Sequence, residues 1–147
     1  MKFKWIKMLI LFNLILAYSL EIQDGDCSAS DLFNEDSLTL AFYPPDHSGY
    51  SQPVLYGTFN QQTYVEYVVG SWSADNTNWS NFPSHLNSTY YNEMLVMFAP
   101  WIHFTSLPNS ESGDYYGRIQ LYGTVSSDTS ISQLWCTTFT IPYIPVN

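Results

Sequence analysis

The feature of this sequence that most constrains its fold is an alternation of apolar and polar residues with a period of two. In the segment "DSLTLAFYPP", Leu38, Leu40 and Phe42 share one face before Pro44-Pro45 ends the strand. Successive side chains of a strand point to opposite faces, so this pattern is typical of strands with one buried face. No helix-period pattern of useful length is present. The sequence therefore predicts an all-β chain.

The alternating segments number about seven and follow one another at roughly 8–15-residue spacing, with Gly, Pro, Ser and Asp clusters between them. In "YYGRIQLYGTV", for example, Ile119, Leu121 and Val125 point one way. Hydrophobic residues make up 46% of the chain, which is enough to fill a core and excludes disorder. We predict an immunoglobulin-like antiparallel β-sandwich.

The middle of the chain contains one alternating segment and one irregular segment. "QTYVEYVVG" predicts a strand with Val65, Tyr67 and Val69 on one face, ended by Gly70. Residues 71–92 are rich in Ser, Asn and Thr and show no period. We therefore predict a long solvent-facing loop there, with room for one short strand.

Two N-glycosylation sequons lie in this polar stretch. They are Asn78-Trp79-Ser80 and Asn87-Ser88-Thr89. We predict that Asn78 and Asn87 carry glycans, although such tripeptides also arise by chance.

Residues 1–19 have the three-part layout of a secretory signal peptide. Three lysines precede an apolar run over residues 8–17, and small residues follow. Ala17 and Ser19 suit the positions that flank a cleavage site, so we predict cleavage after Ser19 and a single domain over residues 20–147. The alternative is a retained membrane anchor, which the short run disfavours because a spanning helix needs about 20 apolar residues.

Removal of the leader leaves a strongly acidic domain. Three of the four Lys and Arg residues lie in the leader, so one cation, Arg118, is set against thirteen Asp and Glu. One positive and thirteen negative charges give a formal charge of −12, compared with −9 for the whole chain. Such a surface repels phosphate backbones, which excludes nucleic acid as a partner. A compartment at about pH 4–5 would weaken the self-repulsion of these carboxylates, which is compatible with a lysosome.

Arg118 allows two interpretations. Its guanidinium group could hold a phosphate or carboxylate head group. We favour the plainer interpretation, a solvated strand residue paired with Asp114 or Glu111.

The two cysteines, Cys27 and Cys136, lie 109 positions apart. An even number of cysteines in a secreted chain indicates a disulfide, which here would join the first strand of the domain to the last. In the chain-entropy model, closing a loop of about 100 residues contributes up to about 4–5 kcal/mol. The alternative is a pair of unrelated buried thiols.

The sequence carries no pattern typical of an active site. A Gly-x-Ser-x-Gly motif is absent, and His47, His85 and His103 lack metal-ligand spacing. The segment "DNTN" at 75–78 lacks the glycine and the closing glutamate of a calcium loop, so we interpret it as a turn rich in Asp and Asn. We expect neither an enzyme nor a cofactor or metal site.

Several separated segments are similar to those of one protein family. Near the start are "DCSASD", "LTLAFYPPDHSG" and "YGTF"; near the end are "LPNSESGDYYGRIQLYGTV" and "LWCTTFTI". Together they resemble the ML family, whose lipid-recognition domains include lysosomal cholesterol carriers and ganglioside activators. Cys27 and Cys136 match the first and last cysteines of that family, which pair, and Pro44-Pro45 and Gly49 match its Pro-rich turn. Residues 71–100 have no counterpart, since most members carry two further disulfides there.

The resemblance implies a sandwich whose two sheets part to hold a lipid or sterol between them. Apolar walls with few polar groups suit such a ligand, because its binding comes mostly from apolar area removed from water. For any one candidate wall residue, the alternative is an ordinary core position. We expect the lining to be drawn from Val65, Tyr67, Met97, Phe98, Trp101, Phe104, Tyr115, Ile119 and Leu121.

The function implied is non-covalent binding of a lipid or sterol, with transfer of the ligand to a membrane or to a partner. We expect a monomer, secreted or in the lumen of an endosome or lysosome, that makes transient contact with a membrane or receptor. The alternative is a secreted immunoglobulin-like adhesion or recognition module with a filled core. A hydrolase would need a nucleophile–base pair, which the sequence does not show.

Overall fold

A computed structural model describes residues 17–19, 22–23, 27, 32–41, 50–91, 94–98, 102–103, 113–125 and 128–142. Every regular element in these ranges is a strand, and seven of the ten strands have five residues or more, in agreement with the prediction of about seven. In chain order the strands are β1 (Ala17–Ser19), β2 (Ile22–Gln23), β3 (Phe33–Ala41), β4 (Tyr50–Phe59), β5 (Thr63–Ser73), β6 (Ser80–Tyr90), β7 (Met94–Phe98), β8 (Ile102–His103), β9 (Asp114–Val125) and β10 (Ser132–Pro142).

The described strands form two antiparallel sheets of five strands each. Sheet 1 has the order β1-β3-β4-β7, with β8 paired to a separate part of β4, and sheet 2 has the order β2-β10-β9-β5-β6. Of the seven longer strands, sheet 1 holds the first, second and fifth, and sheet 2 holds the others. This is an immunoglobulin-like arrangement in which the fourth strand lies beside the third. The predicted all-β antiparallel sandwich is confirmed.

The sheets pack against each other through inward side chains. The ring of Phe33 in β3 lies 5.1 Å from that of Trp135 in β10, and Phe59 of β4 stacks on Tyr90 of β6 at 6.0 Å. Burial alternates along β9 as the sequence predicts, so its inward residues join the core. The buried core residues are Phe33, Leu38, Leu40, Leu55, Phe59, Val65, Val68, Trp72, Tyr115, Ile119, Leu121, Leu134, Trp135, Phe139 and Ile141.

The predicted disulfide is confirmed. Cys27 is bonded to Cys136, and their Cα atoms are 5.1 Å apart. Cys136 lies in β10, whereas Cys27 lies between β2 and β3. Since Ile22 of β2 pairs with Phe139 of β10, the bond fastens the beginning of the domain to its last strand.

The predicted long loop over residues 71–92 is corrected by the structure. β5 continues to Ser73, residues 74–79 form a bend, and β6 occupies Ser80–Tyr90. β6 lies at the edge of sheet 2, and none of its residues is buried. A strand without a buried face needs no alternation of apolar and polar residues. The Ser- and Asn-rich sequence of β6 therefore lacks the pattern from which a strand is predicted.

The predicted faces of β5 also change, because the strand contains a bulge. Its register shifts between Val65 and Tyr67 against both neighbouring strands. One extra residue turns the following side chains to the opposite face. Val65 and Val68 are therefore buried together in the core, whereas Tyr67 lies on the outer face of sheet 2.

The predicted leader falls mostly outside the described residues. Its last three residues, Ala17–Ser19, form β1 and pair with β3, with Ala17 opposite Ala41. In the part of the chain that the structure describes, no helix is able to cross a bilayer.

The disulfide gives a first test of the fold. Replacing both cysteines, Cys27→Ser with Cys136→Ser, should lower the free energy of unfolding by about 2–5 kcal/mol, because the unfolded chain regains the freedom of a long loop. Urea denaturation of the oxidised protein and of the double variant measures the difference. A reduced wild-type sample is the control and should match the variant; equal stability of all three would contradict the expected role.

A second test concerns the close contact of Gly117 with the rings of Phe139 and Trp72, whose centroids are 5.6 Å apart. A methyl group at this position would overlap both rings. Gly117→Ala should therefore destabilise the protein by about 1–3 kcal/mol through overpacking. Thermal unfolding measures this loss, and Ser132→Ala, at an exposed position, is the control and should change the stability by less than about 0.5 kcal/mol.

Candidate functional site

Four of the candidate lining residues lie in the filled core. Val65, Tyr115, Ile119 and Leu121 each expose 1% or less of their surface. A side chain that lines an open cavity keeps surface that water can reach, and these side chains keep almost none. In this structure they are core residues and do not form the walls of an open space.

The core around them is filled by rings. Trp72 meets Phe139 edge to face with centroids 5.6 Å apart, and Phe33 lies between Phe59 and Trp135. Of these contacts, the one between Phe33 and Trp135 joins sheet 1 to sheet 2.

Tyr67, a fifth candidate, lies on the opposite side of sheet 2. Its ring stacks on Tyr122 of β9 at 4.9 Å and meets the ring of His85 of β6 at 6.1 Å. Gln120 donates hydrogen bonds to the Tyr122 hydroxyl at 3.1 Å and to Oε1 of Gln133 at 2.8 Å. The outer face thus carries a connected row of rings and amides.

The remaining candidates belong to the apolar segment after β6. Met97 and Phe98 lie in β7, where their backbones pair with Leu55 and Val54 of β4. Their side chains, like the whole of Trp101 and Phe104, lie outside the described residues.

The structure shows an exposed inner face on β6, which the sequence analysis did not anticipate. Directly opposite residues of antiparallel strands point to the same face. Phe82, Ser84 and Tyr90 pair with Gly70, Val68 and Thr63 of β5, all of which are buried. The β6 partners are half-buried or exposed, with Phe82 exposing 45% of its surface. The inner face of β6 consists of Ser80, Phe82, Ser84, Leu86, Ser88 and Tyr90.

Exposure along this face rises from one end to the other. Tyr90 stacks on Phe59 of sheet 1, so the two sheets are in contact there. Leu86 is half-buried and packs on the core, whereas Phe82 is exposed. The gap between β6 and sheet 1 is therefore closed near Tyr90 and open near Phe82.

The apolar strand β7 begins across this gap. Only residues 91–93 separate Tyr90 of sheet 2 from Met94 of sheet 1. Four residue steps span at most about 14 Å, and packed sheets lie about 10 Å apart, so the start of β7 must face the end of β6. β7 is also the edge strand of sheet 1 among the described strands. The most apolar segment after residue 19 thus borders the inner face of β6.

The sequence does contain a signal for this face. Phe82, Leu86 and Tyr90 recur every fourth residue, with Ser84 and Ser88 between them. A spacing of four residues fits one face of a strand but also one face of a helix, and small polar residues at every second inward position mask the period of two.

Arg118 is held by an aromatic ring. Its guanidinium carbon lies 4.5 Å from the centre of the Trp79 ring, a cation–π contact. Its Nε is buried without a hydrogen-bond partner. The predicted partner Glu111 lies outside the described residues. Covered by Trp79, Arg118 belongs to the outer face of sheet 2 and not to the inner face of β6.

The predicted Asp- and Asn-rich turn is present next to Trp79. The Asp75 carboxylate accepts hydrogen bonds from the backbone N–H groups of Asn78 and Thr77, at 2.8 and 2.9 Å, and from Nδ2 of Asn78 at 2.6 Å. The backbone bond from Asn78 and then that from Thr77 hold the pKa of Asp75 well below its ordinary value.

The described surface also has a shallow, mainly polar depression. This depression of about 250 Å³ on the outer face of sheet 2 is lined by Gln62, Tyr64, Thr89, Thr124, Val125 and Asp128. No group of three or more His, Cys, Asp or Glu within the described ranges is arranged to hold a metal ion. Asn78 and Asn87, the two sequon asparagines, are both exposed.

Comparison with known proteins adds no further guide. No family model matches the chain, and no curated protein or solved structure shows significant similarity to it.

The Asp75 turn allows a prediction on pH. A carboxylate with a lowered pKa in the folded state stabilises the fold above its ordinary pKa of about 3.9, and this stabilisation is lost as the pH falls through the lowered value. Asp75 should therefore remain ionised when the pH falls below about 3.9, as NMR titration of its carboxyl carbon can measure. In Asp75→Ala the acid-dependent loss of this stabilisation should disappear. Titration of Asp75 at its ordinary pKa would contradict the hydrogen bonds described.

Proposed function

We propose that this chain binds a lipid or sterol along the inner face of β6, in the gap between β6 and the edge of sheet 1. The observation that carries the proposal is the exposure of inward side chains on β6 in a sandwich in which most inward positions of β5, β9 and β10 are buried. Phe82 and Leu86 supply apolar surface there, and the apolar strand β7 lies across the gap.

The chemistry of this face suits an amphipathic ligand. Phe82, Leu86 and Tyr90 offer apolar contact, while Ser84 and Ser88 place hydroxyl groups between them. Removing about 300 Å² of a lipid tail from water would contribute about 7 kcal/mol. Ordering of the ligand and of the side chains reduces this figure, so affinity in the micromolar range or weaker is expected.

The proposed setting is the cell exterior or an endosomal or lysosomal lumen. The leader-like residues 1–19, the disulfide and the two exposed sequons support a secretory route. The resemblance to ML domains supports a monomeric, non-enzymatic carrier that meets membranes or a receptor transiently and passes its lipid on.

A second candidate function is extracellular recognition without a lipid. It is favoured by the ring-filled core between the middle strands, and by the row formed by His85, Tyr67 and Tyr122 on the outer face. In that case the outer face of sheet 2, and not the inner face of β6, would contact the partner.

Lipid extraction separates the two candidates. Protein secreted by eukaryotic cells should release a detectable lipid or sterol when extracted with organic solvent and examined by mass spectrometry. The purified protein should also bind a fluorescent fatty acid or sterol. Absence of both ligand and probe binding would leave the recognition function.

The position of the ligand is tested by a matched pair of variants. Phe82→Glu puts a charge on the inner face of β6 and should weaken probe binding tenfold or more, because the charge would have to be buried with the ligand. His85→Glu adds the same charge to the outer face of the same strand and should leave probe binding unchanged. Both variants should keep the thermal stability of the wild type, since both positions are exposed. Equal loss of probe binding in the two variants would place the ligand elsewhere.

A further inference from the structure

The edge strands of the described sheets differ in length, and β6 is the exception. β2 and β7 have two and five residues, whereas β6 has eleven. β1 belongs to the predicted leader; without it the edge of sheet 1 is β3, which has nine residues and carries the charges of Glu35 and Asp36. An edge strand offers unpaired backbone N–H and C=O groups to any other strand, and short length is one of the ways in which proteins limit this. The β6 edge is therefore the one most able to pair with another chain.

β6 also lacks the charges that commonly protect an edge. It contains no Asp, Glu, Lys or Arg. Pro83 removes one N–H, and Asn87 interrupts the extended backbone with a φ of 48°. These are local interruptions; the rest of the strand is neutral, and none of its residues is buried.

Both sequons of the chain fall at this edge. Asn87 lies within β6, and Asn78 lies two residues before the strand begins. The sequence contains no other Asn-x-Ser or Asn-x-Thr. At Asn87 the Tyr64 hydroxyl donates a hydrogen bond to Oδ1 at 3.1 Å, so this bond does not engage Nδ2, the atom that would carry a glycan. At Asn78, Nδ2 already donates to Asp75 at 2.6 Å.

We propose that an N-linked glycan on Asn87 covers the β6 edge and prevents it from pairing with a second copy of this chain. In the attachment step, Nδ2 forms a bond to C1 of an oligosaccharide carried on a lipid pyrophosphate. The bond between C1 and the pyrophosphate oxygen breaks, and Nδ2 gives up one proton. The bulky, hydrated glycan then protects the exposed strand edge, as a charged lysine or glutamate side chain does in other proteins. The inference rests on the proposed secretory route but not on lipid binding.

Three substitutions at Thr89, the last sequon residue, test the proposal. All are made with Ser80→Ala, which removes the second sequon. Thr89→Ser keeps the sequon of Asn87; Thr89→Ala removes it; Thr89→Lys removes it and adds a charge to the exposed edge. Each full-length chain is secreted from eukaryotic cells, its glycopeptides are examined by mass spectrometry, and its mass in solution is measured by light scattering.

The expected pattern is specific to edge protection. Thr89→Ser should carry a glycan on Asn87 and be monomeric. Thr89→Ala should at least double its mass at the same concentration, and Thr89→Lys should return to a monomer. An unoccupied Asn87, a monomeric Thr89→Ala, or association of Thr89→Lys equal to that of Thr89→Ala would each overturn the proposal.

A second measurement covers the case in which Thr89→Ala is not secreted. Folded Ser80→Ala protein is treated with an endoglycosidase that leaves one sugar on Asn87, and its mass is measured before and after. Association after trimming supports the proposal, and a monomer overturns it. None of these readouts depends on a bound lipid, so failure of the lipid proposal would be seen separately, in the extraction experiment.

Discussion

The constraint on which most of this structure depends is the unequal width of the two sheets. Among the described strands of five residues or more, sheet 2 has four and sheet 1 has three. Two packed sheets bury only the area they share, so most inward residues of β10, β9 and β5 are buried while β6 extends beyond sheet 1. The same overhang produces an exposed inner face and an unpaired edge. The proposals on lipid binding and on the glycan both follow from it.

The fold could be predicted from the sequence wherever one face of a strand is buried. Burial of one face requires apolar and polar residues to alternate, as at Leu38 and Leu40 in β3 and at Ile119 and Leu121 in β9. This alternation can be recognised in the amino-acid sequence. The disulfide could be predicted from the cysteine count alone. β6 is only weakly marked as a strand in the sequence, because neither of its faces is buried and serines stand between Phe82, Leu86 and Tyr90 on its inner face. The bulge in β5 was equally hidden, since one extra residue changes the pairing but leaves no mark in composition.

The candidate site could be predicted only in outline. Candidate residues chosen for their apolar character include both core residues and residues that line a binding surface. The sequence does not show which inward positions are left exposed by the opposite sheet. Val65 and Leu121 proved to be core positions, and Tyr67 proved to lie outside, because the bulge reversed its direction. The exposed inward residues Phe82 and Leu86 depend on how far sheet 1 extends. How far sheet 1 extends over sheet 2 depends on the packing of the two sheets together, and no single segment of the sequence records it.

The position of Arg118 has a consequence for the survival of the protein. After Ser19 the sequence contains no lysine and no second arginine, so an enzyme that cleaves after basic residues has a single target in the domain. That target lies within β9, paired to Ser71 on one side and to Thr138 on the other, beneath the Trp79 ring. Its peptide bond becomes accessible only when sheet 2 opens, which ties the rate of digestion to the population of the unfolded state. The folded domain should thus resist cleavage by trypsin-like proteases as long as it remains folded.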